Sequence, residues 1–330
     1  MPAATEIQSS AGPGENRRAA FGLELSIDPR ISIPGLGRSL SAGTAQPPSR
    51  VQLDSGELDR RWGALTMAPL RAREIRWGKT PLLSVDFAEP AGYLLWARDH
   101  GRVLISPDGL ELLCEADPES EHWATIIAAQ ALPLAATIRG LEVFHASGVV
   151  LDGRALLIAG RPGAGKSSLA AALVRVGGQL LSDDAVALQL SDGPLVAHPG
   201  SVVLQLRAAE DRKLSVDARA ALGHPASSST DKHRYVSDRV PDPAPLGALF
   251  LLERSADGPA VEALTAVSPF ELLASTFNLS VRTPARLLRQ LDVVSAIAAS
   301  RLVYRLRVRP GVDAEQLAAV ILETTSFPHA

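Results

Sequence analysis

The chain has 330 residues, 46% of them hydrophobic, with 33 Lys and Arg against 36 Asp and Glu and a formal net charge of −3. That supports one large core or two moderate ones, and no basic block is present to bind nucleic acid or an anionic membrane surface. A single cysteine, Cys114, excludes an intramolecular disulfide and a cysteine-based zinc site and suits a reducing cytoplasm; no N-terminal apolar run resembles a signal peptide.

Residues 1–55 are rich in Gly, Pro, Ser and Ala with little apolar periodicity, and read as a flexible or disordered segment with one short strand near 21–25. Over 56–119, short apolar runs at 81–85, 93–96 and 103–106 are separated by turn-like Pro-Ala-Gly and Asp-His-Gly, which predicts a small β-rich domain. The stretch 123–138 is apolar but contains Gln130 and Pro133 and is too short for a bilayer span. It predicts a buried helix with a kink or break near Pro133.

The run 155–159 predicts a buried strand. It feeds Gly160-Arg161-Pro162-Gly163-Ala164-Gly165-Lys166-Ser167, which fits the Walker A pattern G-x-x-x-x-G-K-[ST] at every fixed position. A helical run at 167–174 follows and stops at Gly177-Gly178. In this order of elements, backbone N–H groups from Gly160 to Ser168 converge on a polyphosphate at a helix N-terminus. Lys166 would bridge the outer phosphates and Ser167 would ligate Mg²⁺, so ATP and Mg²⁺ are the expected cofactors.

The next apolar run, 180–188, carries Asp183-Asp184. One carboxylate would hold the metal and the other would accept a proton from an attacking hydroxyl. Adjacent strand residues point to opposite faces, so both reach one site only where the backbone bulges or the strand is just beginning. His145 precedes the strand that feeds the loop; alone in an apolar run, a histidine is more often a satisfied core residue. Asp192-Gly193 predicts a hairpin turn before 195–197, and 202–206 predicts a strand. The polar segment 208–243, with Ser227-Ser228-Ser229, predicts a long surface loop with a short helix. A buried strand at 249–252, helices opened by Ser268-Pro269 and Thr283-Pro284, a half-buried strand at 304–308 and a helix over 313–325 complete a mixed α/β pattern.

Three stretches, His145 to Gly153, Gly160 to Ser168 and Leu180-Leu181-Ser182-Asp183-Asp184, together resemble the catalytic domain of the HPr serine kinase family. The resemblance is closest to the HPr-kinase-like proteins of bacterial peptide-modification clusters, including lasso-peptide kinases. It covers about residues 120–325. It implies an α/β fold with a P-loop kinase core of the HPr kinase/phosphoenolpyruvate carboxykinase type over 120–330, with mixed and antiparallel strands, preceded by the β-rich domain at 56–119. It also implies an ATP- and Mg²⁺-dependent kinase that transfers the γ-phosphate to a hydroxyl, a serine of a peptide or protein. Asp183 would be the general base, Asp184 and Ser167 would hold Mg²⁺, and Lys166 with the loop amides would hold the phosphates. His145 would lie near the metal, and Lys232 or Arg234 would neutralise the transferring phosphoryl group. The chain lacks the glycine-rich signature that true HPr kinases carry after the acidic pair, so HPr itself as acceptor, and phosphorylase activity, are not implied. A small-molecule hydroxyl kinase and a non-catalytic ATP-binding accessory protein are the alternatives; the paired aspartates favour catalysis. Monomer and homo-oligomer both fit the sequence.

Overall fold

Alternation of apolar and polar residues along Leu23–Ile27, where Leu23, Leu25 and Ile27 turn inward and Glu24 and Ser26 do not, sets the pattern of the first sheet. The computed structural model describes residues 16–38, 46–117, 120, 123–190, 193–226, 231–256, 259–277, 280–309 and 311–324. The first sheet is built from β1 (Asn16–Ala20), β2 (Leu23–Ile27), β3 (Gly37–Arg38), β4 (Ser49–Leu53), β5 (Leu70–Trp77), β6 (Thr80–Ala88), β7 (Gly92–Ala97), β8 (Gly101–Ile105) and β9 (Glu111–Ala116), with helix α1 (Glu57–Gly63) between β4 and β5. Its order is β3-β1-β2-β4-β9-β8-β7-β6-β5. Strands β5 to β9 form successive antiparallel hairpins, while β4 runs parallel to both β2 and β9.

This corrects the expectation of a flexible segment over 1–55. Residues 1–15 and 39–45 lie outside the described residues, but β1 to β4 are paired strands, and β4 sits inside the sheet that a boundary at 55/56 would cut. These strands are short, and their stability comes from pairing with β9, a long-range partner that local composition does not show.

The helix after β9 runs as α2 (Ala124–Ile126), a π-helical turn at Ile127–Ala131 and α3 (Leu132–Ile138). Pro133 enters in the first turn of α3, directly after the π-helical turn, so the helix runs on through a wider turn in place of the expected kink or break. Ile127, Leu132 and Leu134 join Leu25 and Ile105 of the first sheet in one core, which extends to Val143, Ala187 and Phe277 beside the second sheet.

The second sheet contains β10 (Glu142–Phe144), β11 (Ala146–Leu151), β12 (Arg154–Gly160), β13 (Gln179–Ser182), β14 (Val186–Gln189) and β15 (Val196–His198). The chain then leaves the sheet through β16 (Val203–Arg207), α5 (Ala208–Asp211), α6 (Val216–Ala220), β17 (His224–Ala226) and β18 (Lys232–Val236), and returns as β19 (Ala244–Arg254), β20 (Ala260–Ala263) and β21 (Val303–Val308). Helix α4 (Lys166–Arg175) follows β12; α7 (Pro269–Leu273), α8 (Pro284–Ala299) and α9 (Ala314–Thr324) complete the layers. The order is β10-β14-β15-β19-β12-β11-β13, with β21 on β19 and β20 on β21. Strand β12 lies antiparallel to β11 and parallel to β19. The architecture is therefore mixed α/β with mixed and antiparallel sheets. Both faces of β12 are buried, which is why its sequence is continuously apolar. Ile158, Phe250 and Leu306 face Leu169 and Leu173 of α4 and Leu317 and Ile321 of α9. Leu157, Leu249 and Val303 face Val293, Val294 and Ile297 of α8.

Two further expectations change. The run 180–188 is two strands: β13 pairs with β11, β14 pairs with β10, and the chain breaks between them at Asp183-Asp184-Ala185. The segment 208–243 is not a plain surface loop, because β16, β18 and β17 form a separate antiparallel sheet. Its polar residues are ordered by a buried carboxylate. Asp211, 3% exposed, accepts from the Tyr235 hydroxyl and lies 3.1 Å from His233 Nδ1 and 3.3 Å from Arg219 Nε. Ser227–Ser229 and Asp192 fall outside the described residues. No described helix is long and apolar enough to cross a membrane.

Candidate active site

The glycine loop joins the end of β12 to α4 and is shaped by its neighbours. Gly160 has no room for a side chain, because a Cβ there would lie 2.8 Å from the Leu252 carbonyl of β19. Gly165 is the N-cap of α4 with φ +108°, a conformation that disfavours any residue with a Cβ. No side chain caps this helix, so the amides of its first turn are left for another acceptor. A cavity of about 650 Å³ opens over the loop and includes His145, Lys166, Ser167, Asp184 and Gln205 in its wall. That size falls in the range of small-molecule sites. A larger space of about 1130 Å³, between the β1–β3 strands and residues 236–243, contains none of the sequence-predicted site residues.

Lys166 is buried. Its Nζ donates to the Gly160 carbonyl at 3.1 Å and lies 3.2 Å from His145 Nε2. Burial pulls its pKa below the usual lysine value, against the pull of Asp184 and Asp183. His145 Nδ1 lies 2.9 Å from the Asp184 carbonyl oxygen. That carbonyl can only accept, so Nδ1 carries the proton and Nε2 is the acceptor turned to Lys166. Burial and the adjacent lysine lower the His145 pKa and hold the ring neutral. The backbone holds the residue in place: His145 N donates to Ser275 O at 2.6 Å, and the Phe277 ring lies 5.9 Å from the imidazole with the Arg73 guanidinium 5.6 Å from the Phe277 ring.

The break between β13 and β14 puts Asp184 in the cavity wall and leaves Asp183 just behind it, hydrogen-bonded to Ser167. Asp184 adopts φ +68°, a left-handed turn that short polar residues tolerate, so the two side chains are not forced to opposite faces. Their surroundings differ. Asp183 Oδ1 accepts from Ser147 Oγ at 2.6 Å, Ser167 Oγ at 3.0 Å and Asp184 N at 3.1 Å; Oδ2 accepts from Gln205 N at 3.1 Å. Burial, then the neighbouring Asp184, raises its pKa to about 6 despite these donors. The Asp184 carboxylate accepts no hydrogen bond among the described residues and faces the cavity.

Thus the structure brings together Gly160 to Ser168, His145, Asp183 and Asp184. Arg161 and Pro162 lie exposed at the loop's outer turn. Lys232 lines the cavity; Arg234, two residues on and in register with Gln205, does not. Sequence reasoning missed Ser147, the Gln205 amide and two arginines, Arg207 and Arg254, that line the same cavity. Ser147 lies inside the His145 to Gly153 stretch, but one hydroxyl in an apolar strand signals no role, and the other three depend on strand placement. Among the described residues no cluster of three His, Cys, Asp or Glu side chains is placed to hold a metal by itself.

No family model matches the chain, and no curated protein matches it. Among solved structures it is similar to the HPr(Ser) kinase/phosphatase from Coxiella burnetii, at 16% identity and a TM-score of 0.30, covering 56% of this chain and 90% of that one. A similarity at that level fixes neither fold nor activity.

Proposed function

We propose that this protein is an ATP- and Mg²⁺-dependent kinase of the HPr-kinase-like type that transfers the γ-phosphate to a serine hydroxyl of a peptide or protein. One observation carries the reading: an uncapped helix N-terminus, a buried lysine, a hydroxyl and one open carboxylate meet at one cavity, with a second, buried carboxylate hydrogen-bonded to that hydroxyl. The triphosphate would lie on the α4 amides, with Lys166 turning from the Gly160 carbonyl to the outer phosphates. His145, neutral and fixed in its tautomer, would orient that lysine.

The donors present suit Mg²⁺, which binds through one or two protein oxygens and keeps water and phosphate as its other ligands. Ser167 and Asp183 would hold it, and when bound it would neutralise charge on the phosphates. The hydrogen bonds favour a division of labour opposite to the sequence expectation. Asp183 is tied to Ser167 and belongs on the metal side, whereas Asp184 is unengaged and open to an incoming hydroxyl, whose proton it would take. Lys232, in the wall of the same cavity, would neutralise the charge that develops on the transferring group. An ATP-consuming enzyme whose one cysteine is buried fits the cytoplasm.

The test is a phosphotransfer assay read by mass spectrometry, with MgATP and either serine-containing peptides or a lysate of the source cells. Asp184→Asn should keep ATP binding and lose transfer by about 10²–10⁴-fold. Lys166→Met should lose both. Full transfer by Asp184→Asn, with none by Asp183→Asn, would restore the original assignment. ATP consumption without a labelled macromolecule would replace the peptide acceptor by a small molecule. ATP binding without any turnover would leave a nucleotide-binding accessory protein.

A further inference from the structure

Arg207 ends β16 and Arg254 ends β19, so two strands from different sheets deliver a guanidinium to the same loop. The Cβ that Gly163 lacks would lie 3.3 Å from Arg207 Nη2, and that of Gly165 would lie 3.8 Å from Arg254 Nη2. Both arginines are exposed and line the cavity. Neither has an ion-pair or hydrogen-bond partner for its side chain among the described residues. Neighbouring arginines do: Arg175 pairs with Glu315, Arg305 with Glu253 and Arg307 with Glu262.

Arg207 also stands directly opposite Lys232 in the β16–β18 register. Opposed residues share a face, and like charges in that position repel. Among the described residues no carboxylate bridges them. An arrangement that is unfavourable in the empty site becomes favourable once an anion lies between the cations. Arg207 is aligned by its own strand, because Gln205, two residues earlier on that face, donates its amide to Asp183.

We propose that Arg207 and Arg254 form a two-sided clamp on the terminal phosphates of the nucleotide held by the glycine loop. The proposal rests on the nucleotide-binding reading above and adds two residues that would touch the substrate. Guanidinium groups suit this task because their planar fork can hold two phosphate oxygens at once. They lie outside the glycine loop proper, so they act on the phosphates and leave the nucleoside to other contacts.

The test measures binding of ATP and of inorganic tripolyphosphate, which carries the phosphates alone, to wild type, Arg207→Ala, Arg254→Ala and the double variant. Each single change should weaken both ligands by about the same factor, roughly 10-fold or more for a lost charge-assisted bond. Arg207→Lys should recover only part of the loss. Because both side chains are exposed, melting temperatures should stay at the wild-type value, which separates the effect from misfolding. Wild type that binds ATP, beside variants that bind both ligands and transfer phosphate as well as wild type, overturns the clamp alone. Wild type that binds neither ligand overturns the nucleotide reading and the clamp with it.

Discussion

Ser147→Ala tests how the site manages the Asp183 charge, and it can be read without any ligand. Ser147 is fully buried, and its hydroxyl makes the shortest of the bonds to Asp183, at 2.6 Å. In the wild type the Asp183 pKa is raised from 3.8 to about 6. The folded state therefore binds this proton more tightly than the unfolded chain does. The group's contribution to stability is fully present below the unfolded pKa and is lost as pH rises through the folded one, by up to roughly 3 kcal/mol. Partial exposure to water makes that an upper bound. A hydrogen bond to a charged group contributes about 1.5–3 kcal/mol and a neutral one about 0.5–1.5. Removing the Ser147 hydroxyl, which pulls the Asp183 pKa down, should thus raise it further. The variant should lose about 1 kcal/mol at about pH 4, where Asp183 is protonated, and about 2 kcal/mol or more at about pH 8. Urea denaturation at the two pH values measures this directly. In an Asp183→Asn background the pH dependence of the Ser147→Ala effect should vanish. An equal loss at both pH values in the wild-type background would refute the charge-assisted bond and the raised pKa it opposes.

Two further outcomes follow from backbone and burial. Gly165→Ala should cost about 1–2 kcal/mol, because φ +108° is strained for any residue with a Cβ while the nearest atom, Arg254 Nη2, is 3.8 Å away. The same change should abolish ATP binding, and an unstrained, fully binding variant in a denaturation and titration pair would contradict the loop geometry. Arg286→Met should be far more damaging. Arg286 and Glu142 are both buried and joined at 2.7 Å, so removing the cation leaves a carboxylate without its partner, at about 3–5 kcal/mol. Burial already raises the Glu142 pKa to about 7, so the loss should be greatest above that pH and smaller at about pH 5, where the carboxyl is already protonated. A pH-independent loss in denaturant titrations would rule out this account.

Much of the site was legible because its signals are local. The glycine loop needs only contiguous residues: a buried strand, small residues at φ values closed to others, and a helix start. The same is true of the Ser268 and Thr283 caps, whose hydroxyls accept from Phe270 N and Arg286 N. Where order depends on distant partners, the sequence misled. The strands β1 to β4 look like a flexible segment because β4 is held by β9, some sixty residues away in register (Arg50 opposite Glu111). The segment 208–243 looks like a loop because its order comes from a buried Asp211 cluster, not from apolar periodicity.

The contrast is sharpest at the acidic pair. Sequence alone determined that two carboxylates follow a phosphate-loop pattern, since residue type and spacing are properties of the chain. Which carboxylate is engaged and which is open was decided by tertiary structure. The left-handed turn at Asp184, the Ser147 hydroxyl from β11 and the Gln205 amide from β16 come from three segments, and only folding sets their distances. The same holds for Arg207 and Arg254. Each is an ordinary strand-end arginine in the sequence, and they become a pair only because two sheets end at one loop.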